Sequence, residues 1–242
     1  MLLLLLAATG ATAKDIPISL VTCDTTKGQI EMTFYRDYSP HGYDRAVQLF
    51  QEGFYDGSHF FRVVPRFLVQ FGISYTADKS LKARAMTPIK DDRVIRGIQF
   101  EPGTISFAGS GRNSRTSHLF ISLMRSNQFG TNPWETPIGR VTKGMDVVRK
   151  LESSYGDMPP WGKGPEQAPI YDGPQYIEEN FPLLDKFIKC TVDTIYTSRS
   201  NIPPTANPDS LNDSDSDSDS DSDDEDSDSD SDSDSDDGGD EF

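Results

Sequence analysis

Histidine and cysteine, frequent nucleophiles and metal ligands, are scarce in this 242-residue chain, with three and two copies. There are two cysteines, Cys23 and Cys190, and neither sits in a CxxC pair. A zinc site, a small disulfide framework, haem and iron–sulfur ligation are therefore not expected. The stretch that stands out is Phe60-Phe61-Arg62-Val63-Val64-Pro65-Arg66-Phe67-Leu68-Val69-Gln70-Phe71-Gly72. It sets Arg62 and Gln70 among aromatic residues. An arginine stays charged and presents a rigid fork of donors, so it suits hydrogen-bond stabilisation of a distorted group. Phe67 and, further on, Phe120 offer apolar walls that exclude water. His118 precedes a second aromatic run, Leu119-Phe120-Ile121. A histidine in a loop is expected to titrate near neutrality.

Charge divides the chain. The formal net charge is −16, yet residues 209–242 hold 18 of the 39 acidic residues and no Lys or Arg. The remainder carries 21 acidic against 23 basic residues, a net of +2. Bulk-charge binding to nucleic acid is excluded, because it needs clustered Lys and Arg. No apolar run approaches the ~20 residues of a membrane span.

Three regions follow. Residues 1–13, MLLLLLAATGATA, have a short apolar core and a small-residue cleavage pattern. They read as a short signal peptide without its basic start, which favours the secretory pathway (ER lumen or secreted) over the cytoplasm. Residues 14–199 suit one domain of ordinary size. Residues 200–242 open with a Pro-rich linker and continue as Ser-Asp repeats that have nothing apolar to bury, so this acidic tail is expected to be disordered. Weak Ca²⁺ binding, phosphorylation, docking on a basic partner and plain solubilisation all stay open for it.

The elements that must position the candidate residues are mostly short strands. Residues 18–35 form a β-hairpin turning at Gly28, with Ile30, Met32 and Phe34 on one face. A helix is expected over 41–53 and a short one over 144–152. The Phe60 and Phe67 runs make two strands joined at Pro65. Further strands are expected over 103–108, 119–123, 137–141 and 187–196, the last with Ile188, Cys190, Val192 and Thr194 aligned. The loop Gly109 to Ser117 is polar. Many short strands with few helices suggest a closed barrel with helical caps.

In this order, with Gly103-Thr104-Ile105-Ser106-Phe107-Ala108, Ser117-His118-Leu119-Phe120-Ile121 and Gly139-Arg140-Val141-Thr142-Lys143-Gly144, the chain resembles the cyclophilin family of peptidyl-prolyl cis-trans isomerases over about residues 18–197. The resemblance implies a mainly β fold, an eight-stranded antiparallel barrel capped by two helices. It implies acceleration of X-Pro isomerisation in proline-containing polypeptides, hence assistance to protein folding, by a monomer without cofactor or metal. Arg62 matches the catalytic arginine. Phe67 and Phe120 match aromatics that line the proline pocket, Phe129, also assigned to the substrate surface, stands where the family has a leucine, and Gln70 matches a residue that bonds the substrate backbone. Ala108 lies where the family contacts the residue before proline, Gly109 replaces an asparagine whose backbone contacts substrate, and His118 stands where many members have glutamine. Gln128 replaces the family's tryptophan, which argues against tight cyclosporin binding. Trp134 or Glu135 is expected near the place of the groove histidine. Cys23 and Cys190 fall on neighbouring strands of such a barrel, as a bridge or as two buried thiols. Two other functions stay open: a non-catalytic proline-peptide binding module, and an acidic Ca²⁺-binding secretory protein with the barrel as scaffold.

Overall fold

The computed structural model describes residues 15–95 and 99–202. The segment read as a signal peptide lies outside the described residues, as does the acidic tail beyond Ile202. The first tail residues are described, Ser200 and Asn201 in a 3₁₀ turn (Arg199–Asn201) and Ile202 buried. Eight strands form one sheet in the order β3-β4-β6-β5-β7-β2-β1-β8. They are β1 (Ile16–Thr25), β2 (Gly28–Tyr35), β3 (Arg62–Val64), β4 (Leu68–Phe71), β5 (Thr104–Phe107), β6 (Leu119–Ser122), β7 (Gly139–Lys143) and β8 (Phe187–Thr197). Every pairing is antiparallel. The sheet closes on itself where the chain entering β3 meets the chain entering β8. There Phe60 N–H donates to the Asp185 carbonyl at 2.9 Å and Phe187 N–H to the Ser58 carbonyl at 3.0 Å.

Alternation along the strands separates inside from outside. Val63, Val69, Ile121 and Ile105 lie opposite one another on β3, β4, β6 and β5, and all four are buried in the barrel core. Ile30, Met32 and Phe34 of β2 join them. The helix α1 (Pro40–Gln51) covers one end, burying Tyr43, Val47, Leu49 and Phe50. The second expected cap is shorter than its sequence pattern, with only Met145–Val148 helical (α3). Leu151 is nevertheless buried beyond its end.

Among the described residues, three α-helices are additional to the two expected caps. The helix α2 (Lys79–Met86) buries only Leu81 and Ala85, so its apolar stripe is too thin to read, and it is held at its start by Asp78. The helices α4 (Gln167–Ile170) and α5 (Gln175–Asn180) belong to a long excursion between α3 and β8. They carry a small core of their own, in which Ile170, Ile177 and Leu184 pack on Phe61 and Ile73 of the barrel's outer face.

On β8 the expected alignment fails at one residue. Asp24 pairs with Lys189 but Thr25 pairs with Phe187, so Ile188 bulges out of the ladder and is exposed. Phe187 takes the inward position instead. A bulge shifts the facing of every residue on one side of it.

Cys23 and Cys190 are disulfide-bonded, with 4.1 Å between Cα atoms. They are direct partners across β1 and β8. The Cys190 N–H is not spent on that partner and donates to Asp56 at 3.0 Å.

The loop after β5 is tied to the body by a buried ionic knot. Arg115 is fully buried and donates to Asp92 at 2.9 Å and to the Lys90 carbonyl. Asp92 also accepts from Ser39, from His41 N–H at 2.9 Å and from Gly42 N–H at 2.8 Å. One carboxylate thus joins the start of α1, residues 90–92 and the loop 109–117. Gly42 makes room for it, since a Cβ there would meet Ser39, Ile138 and Arg115 within 2.9 Å.

Candidate active site

Strand register builds the site. Arg62 of β3 lies opposite Gln70 of β4, Gln70 opposite Phe120 of β6, and Phe120 opposite Ser106 of β5. Opposed residues of an antiparallel ladder point to one side. These four therefore make a row across the outer face, one residue out of phase with the buried valine–isoleucine row.

The row begins with a guanidinium. Arg62 Nη1 donates to Gln70 Oε1 at 3.1 Å. Arginine has no acceptor, so this bond fixes the Gln70 amide with its NH₂ turned away and available as a donor. Arg62 Nε and Nη2 donate to the two oxygens of Asp157 at 2.6 and 3.1 Å. The hydrogen bond from Arg62 holds the Asp157 carboxyl below the usual range.

Beside the row lies an aromatic cluster. Arg62 sits over the Phe67 ring, 5.5 Å from its centroid. Phe67 stacks on Phe129 at 5.5 Å, and Phe129 meets Phe120 at 5.1 Å. Phe100 stacks on Phe120 at 5.9 Å and closes the group against Phe129 at 5.5 Å. Leu68 is buried here and Ala108 packs at the edge. The turn that delivers Phe67 passes through Arg66 at φ 61°, a left-handed conformation uncommon for a side-chain-bearing residue. The cluster can hold an apolar ring beside an arginine donor.

The sequence-derived residues are mostly brought together. Arg62, Gln70, Phe67, Phe120, Phe129 and Ala108 share this surface. Gly109 follows Ala108 and lies under Trp134, where a Cβ would come within 2.8 Å of the Trp134 Cβ. Glu135 accepts from Gly130 N–H at 3.3 Å. Burial raises its pKa. Gly72, last residue of the motif, has φ 127°, and a Cβ on it would lie 2.5 Å from the Ser117 carbonyl oxygen. Only glycine lets β4 and the chain entering β6 approach this closely.

His118 corrects an expectation. It does not titrate near neutrality. Its ring lies between Phe61 at 5.6 Å and Tyr171 at 6.0 Å, and Nε2 shares a 2.7 Å hydrogen bond with the Tyr171 hydroxyl. Burial disfavours the imidazolium and lowers the pKa to about 4.

Three residues of this surface escaped the sequence reading: Phe100, Asp157 and Tyr171. Asp157 had a faint signal, a single acid in a run of turn residues between Gly156 and Met158-Pro159-Pro160. Phe100 and Tyr171 had none, because tertiary packing alone brings them here. Among the described residues no group of three or more His, Cys, Asp or Glu could hold a metal ion, and no helix is long and apolar enough to cross a membrane.

A closed eight-stranded antiparallel barrel with an arginine, a glutamine and an aromatic cluster in register on its outer face defines a class. The sequence model described as cyclophilin type peptidyl-prolyl cis-trans isomerase/CLD matches residues 20–170. The chain belongs to the cyclophilin-type peptidyl-prolyl cis-trans isomerase family. Among curated relatives, peptidyl-prolyl cis-trans isomerase-like 1 of Rhizopus delemar is 31% identical over 140 residues, covering 54% of this chain and 78% of the relative. The isomerase cypE of Dictyostelium discoideum is 30% identical over 137 residues, covering 55% and 84%. A cyclophilin-type isomerase crystal structure from Cryptosporidium parvum shares the fold, with a TM-score of 0.51 at 16% identity, covering 73% of this chain and 98% of that one. A second structure of that protein was determined in the presence of the dipeptide Ala-Pro, with a TM-score of 0.51 and 72% and 98% coverage at 15% identity.

Proposed function

We propose that this protein accelerates cis-trans isomerisation of X-Pro bonds in polypeptides, with Arg62 as the catalytic residue. The observation that carries this reading is the register row Arg62–Gln70–Phe120 beside the Phe67–Phe129 stack.

Rotation about the X-Pro bond faces a barrier of ~18–20 kcal/mol, because resonance gives the C–N bond double-bond character. In the twisted state the prolyl nitrogen becomes pyramidal and its lone pair can accept a hydrogen bond. In the planar ground state that lone pair is delocalised. A donor aimed at this nitrogen therefore binds the twisted state more strongly than either planar isomer, and differential binding of this kind is what lowers a barrier. Arg62 is the donor. Phe67, Phe120 and Phe129, with Phe100 beneath, hold the proline ring. The Gln70 NH₂ donates to a substrate carbonyl. The backbone at Ala108 and Gly109 meets the residue before proline, and His118 contributes a neutral wall. No bond is made or broken, so neither nucleophile nor metal is required.

The disulfide supports placing the protein in an oxidising compartment of the secretory pathway, where such bonds persist. A fusion of residues 1–20 to a reporter tests this, and retention of the reporter in the cytosol would contradict it. The tail, residues 200–242, is read as an appendage that binds Ca²⁺ or basic partners weakly. Comparing Ca²⁺ binding with and without it decides this point.

The deciding experiment is a proline-peptide isomerisation assay on the wild type and Arg62→Ala. The wild type is expected to be active. Loss of the single charged donor should lower kcat/KM by about 10²–10³-fold, as for other transition-state donors. Peptide binding without acceleration by the wild type would leave a binding module instead.

A further inference from the structure

An arginine on the outer face of a barrel has four rotatable bonds and no reason to stay in one place. Here it is held from two sides. Three of its five N–H bonds are occupied, two by Asp157 and one by Gln70. One N–H on each terminal nitrogen is left to reach a substrate. A fork gripped at Nε and Nη2 by both oxygens of one carboxylate has its plane fixed as well as its position.

Gln70 is part of the barrel, but Asp157 is not. It comes from the loop 153–164, in the excursion between α3 and β8. That loop is folded around it. Met158 N–H donates to Asp157 Oδ1 at 2.7 Å, and Gly164 N–H donates to the Asp157 carbonyl at 2.8 Å. Gly162 approaches so closely that a Cβ would lie 2.1 Å from the Asp157 carbonyl oxygen. Lys163 N–H closes the loop onto the Tyr155 carbonyl at 3.1 Å. The base is anchored too. Glu152 N–H donates to Asp185 at 2.7 Å, and the Tyr155 ring packs edge-on against Phe181 at 5.2 Å. The Arg62 and Asp157 side chains are 19% and 17% exposed, so the pair is partly shielded from water and from salt.

The geometry points to Asp157 as the positioning residue of the site, with the loop 153–164 as the device that presses its carboxylate onto Arg62 and so aims the remaining donors. This inference rests on the reading of Arg62 as the catalytic group. Donor placement to within about 0.5 Å is what such sites require. A carboxylate that only stabilised its loop would have no effect on turnover beyond its effect on folding.

The test uses the full chain with Asp157→Asn, Asp157→Glu, Gly162→Ala and Arg62→Ala, and a tetrapeptide containing one X-Pro bond. Asp157→Asn is expected to lower kcat about tenfold with KM within twofold and an unchanged melting temperature. Asp157→Glu should recover part of the loss. Gly162→Ala, which keeps both charged groups but displaces the loop, should reproduce it. Combined with Arg62→Ala, Asp157→Asn should cost nothing further, since the two act as one unit. Independently of activity, the Arg62 Nε–H proton signal should be protected from exchange in the wild type and lose that protection in Asp157→Asn. An Asp157→Asn variant with wild-type kcat, or losses that add in the double variant, would overturn the inference while leaving Arg62 catalytic. If the wild type has no isomerase activity, the functional reading falls. The Nε–H signal then decides the positioning alone: protection lost in Asp157→Asn sustains it, and equal protection refutes it.

Discussion

The His118 imidazole and the Tyr171 ring are nearly parallel, their planes 15° apart and their centroids 6.0 Å apart, and a 2.7 Å hydrogen bond joins Nε2 to the hydroxyl. Tyr171 ends α4, so the excursion between α3 and β8 covers a groove residue that a shorter connection would leave in water. The covering has a measurable signature. Tyr171→Ala should return the His118 pKa from about 4 toward its ordinary 6.5. Proton NMR titration of the imidazole signals checks this. An unchanged acidic midpoint would assign the shift to Phe61 alone.

Stability should fall on acidification before the carboxylates are involved. His59 is held near 4 by burial, with Lys186 adding to the effect, and His118 by burial. Both bind a proton more readily unfolded than folded. Between pH 6.5 and 4 the unfolded state therefore takes up more protons, and unfolding free energy drops as pH falls. Above 6.5 this contribution is fully present, and below 4 no more is lost. Each histidine adds a slope of at most about 1.4 kcal/mol per pH unit in that window. Urea unfolding from pH 7.5 to 4 should show the decline, and His118→Gln should remove about half of the histidine part.

The Cys23–Cys190 bond joins the first strand to the last across 167 residues. Reduction, or replacement of both cysteines by serine, should cost about 2–5 kcal/mol of stability in denaturant unfolding. The barrel should still close, because the β1–β8 ladder runs from Ile16 to Thr25 on its own hydrogen bonds. Equal stability of oxidised and reduced protein would deny the bridge a stabilising role.

Much of this was legible from residue order because strand alternation is a local signal. Ile30, Met32 and Phe34 had to face one way, and they are buried. The thirteen-residue motif from Phe60 to Gly72 carried Arg62, Gln70 and their pairing, since a two-strand turn fixes its own register. Ile188 was misplaced because a bulge leaves no mark in the alternation. The histidine pKa was missed because the residues that bury His118 come from Phe61 and from Tyr171, 53 positions downstream. Asp157 lies 95 residues from Arg62, and no pattern of charge along the chain joins them.

Asp92 should be the costliest single carboxylate to remove from the fold. Its loss would leave the fully buried Arg115 with Asp91, at 3.6 Å, as its remaining carboxylate and free the first N–H groups of α1 together. Asp92→Ala is expected to destabilise by about 3–5 kcal/mol, the range for one half of a buried ion pair. The loop 109–117 follows the substrate-facing residue Ala108, so KM should also rise. Thermal unfolding and peptide kinetics on the same preparation separate the two effects. A loss below about 1 kcal/mol would mean that the knot behaves as a surface pair.

Ile16 and Thr197 are direct partners at the far end of the β1–β8 ladder. Those strands belong to the half of the barrel that carries none of the Arg62–Ser106 row. Opposed residues in such a ladder have Cα atoms only about 4.5–5.5 Å apart. The barrel could therefore be circularly permuted. A linker of a few residues would join Thr197 to Ile16, and new ends could be opened in an exposed loop such as the one around Ala77. A permutant that keeps its fold and its groove would place a cargo or a surface attachment on a side of choice.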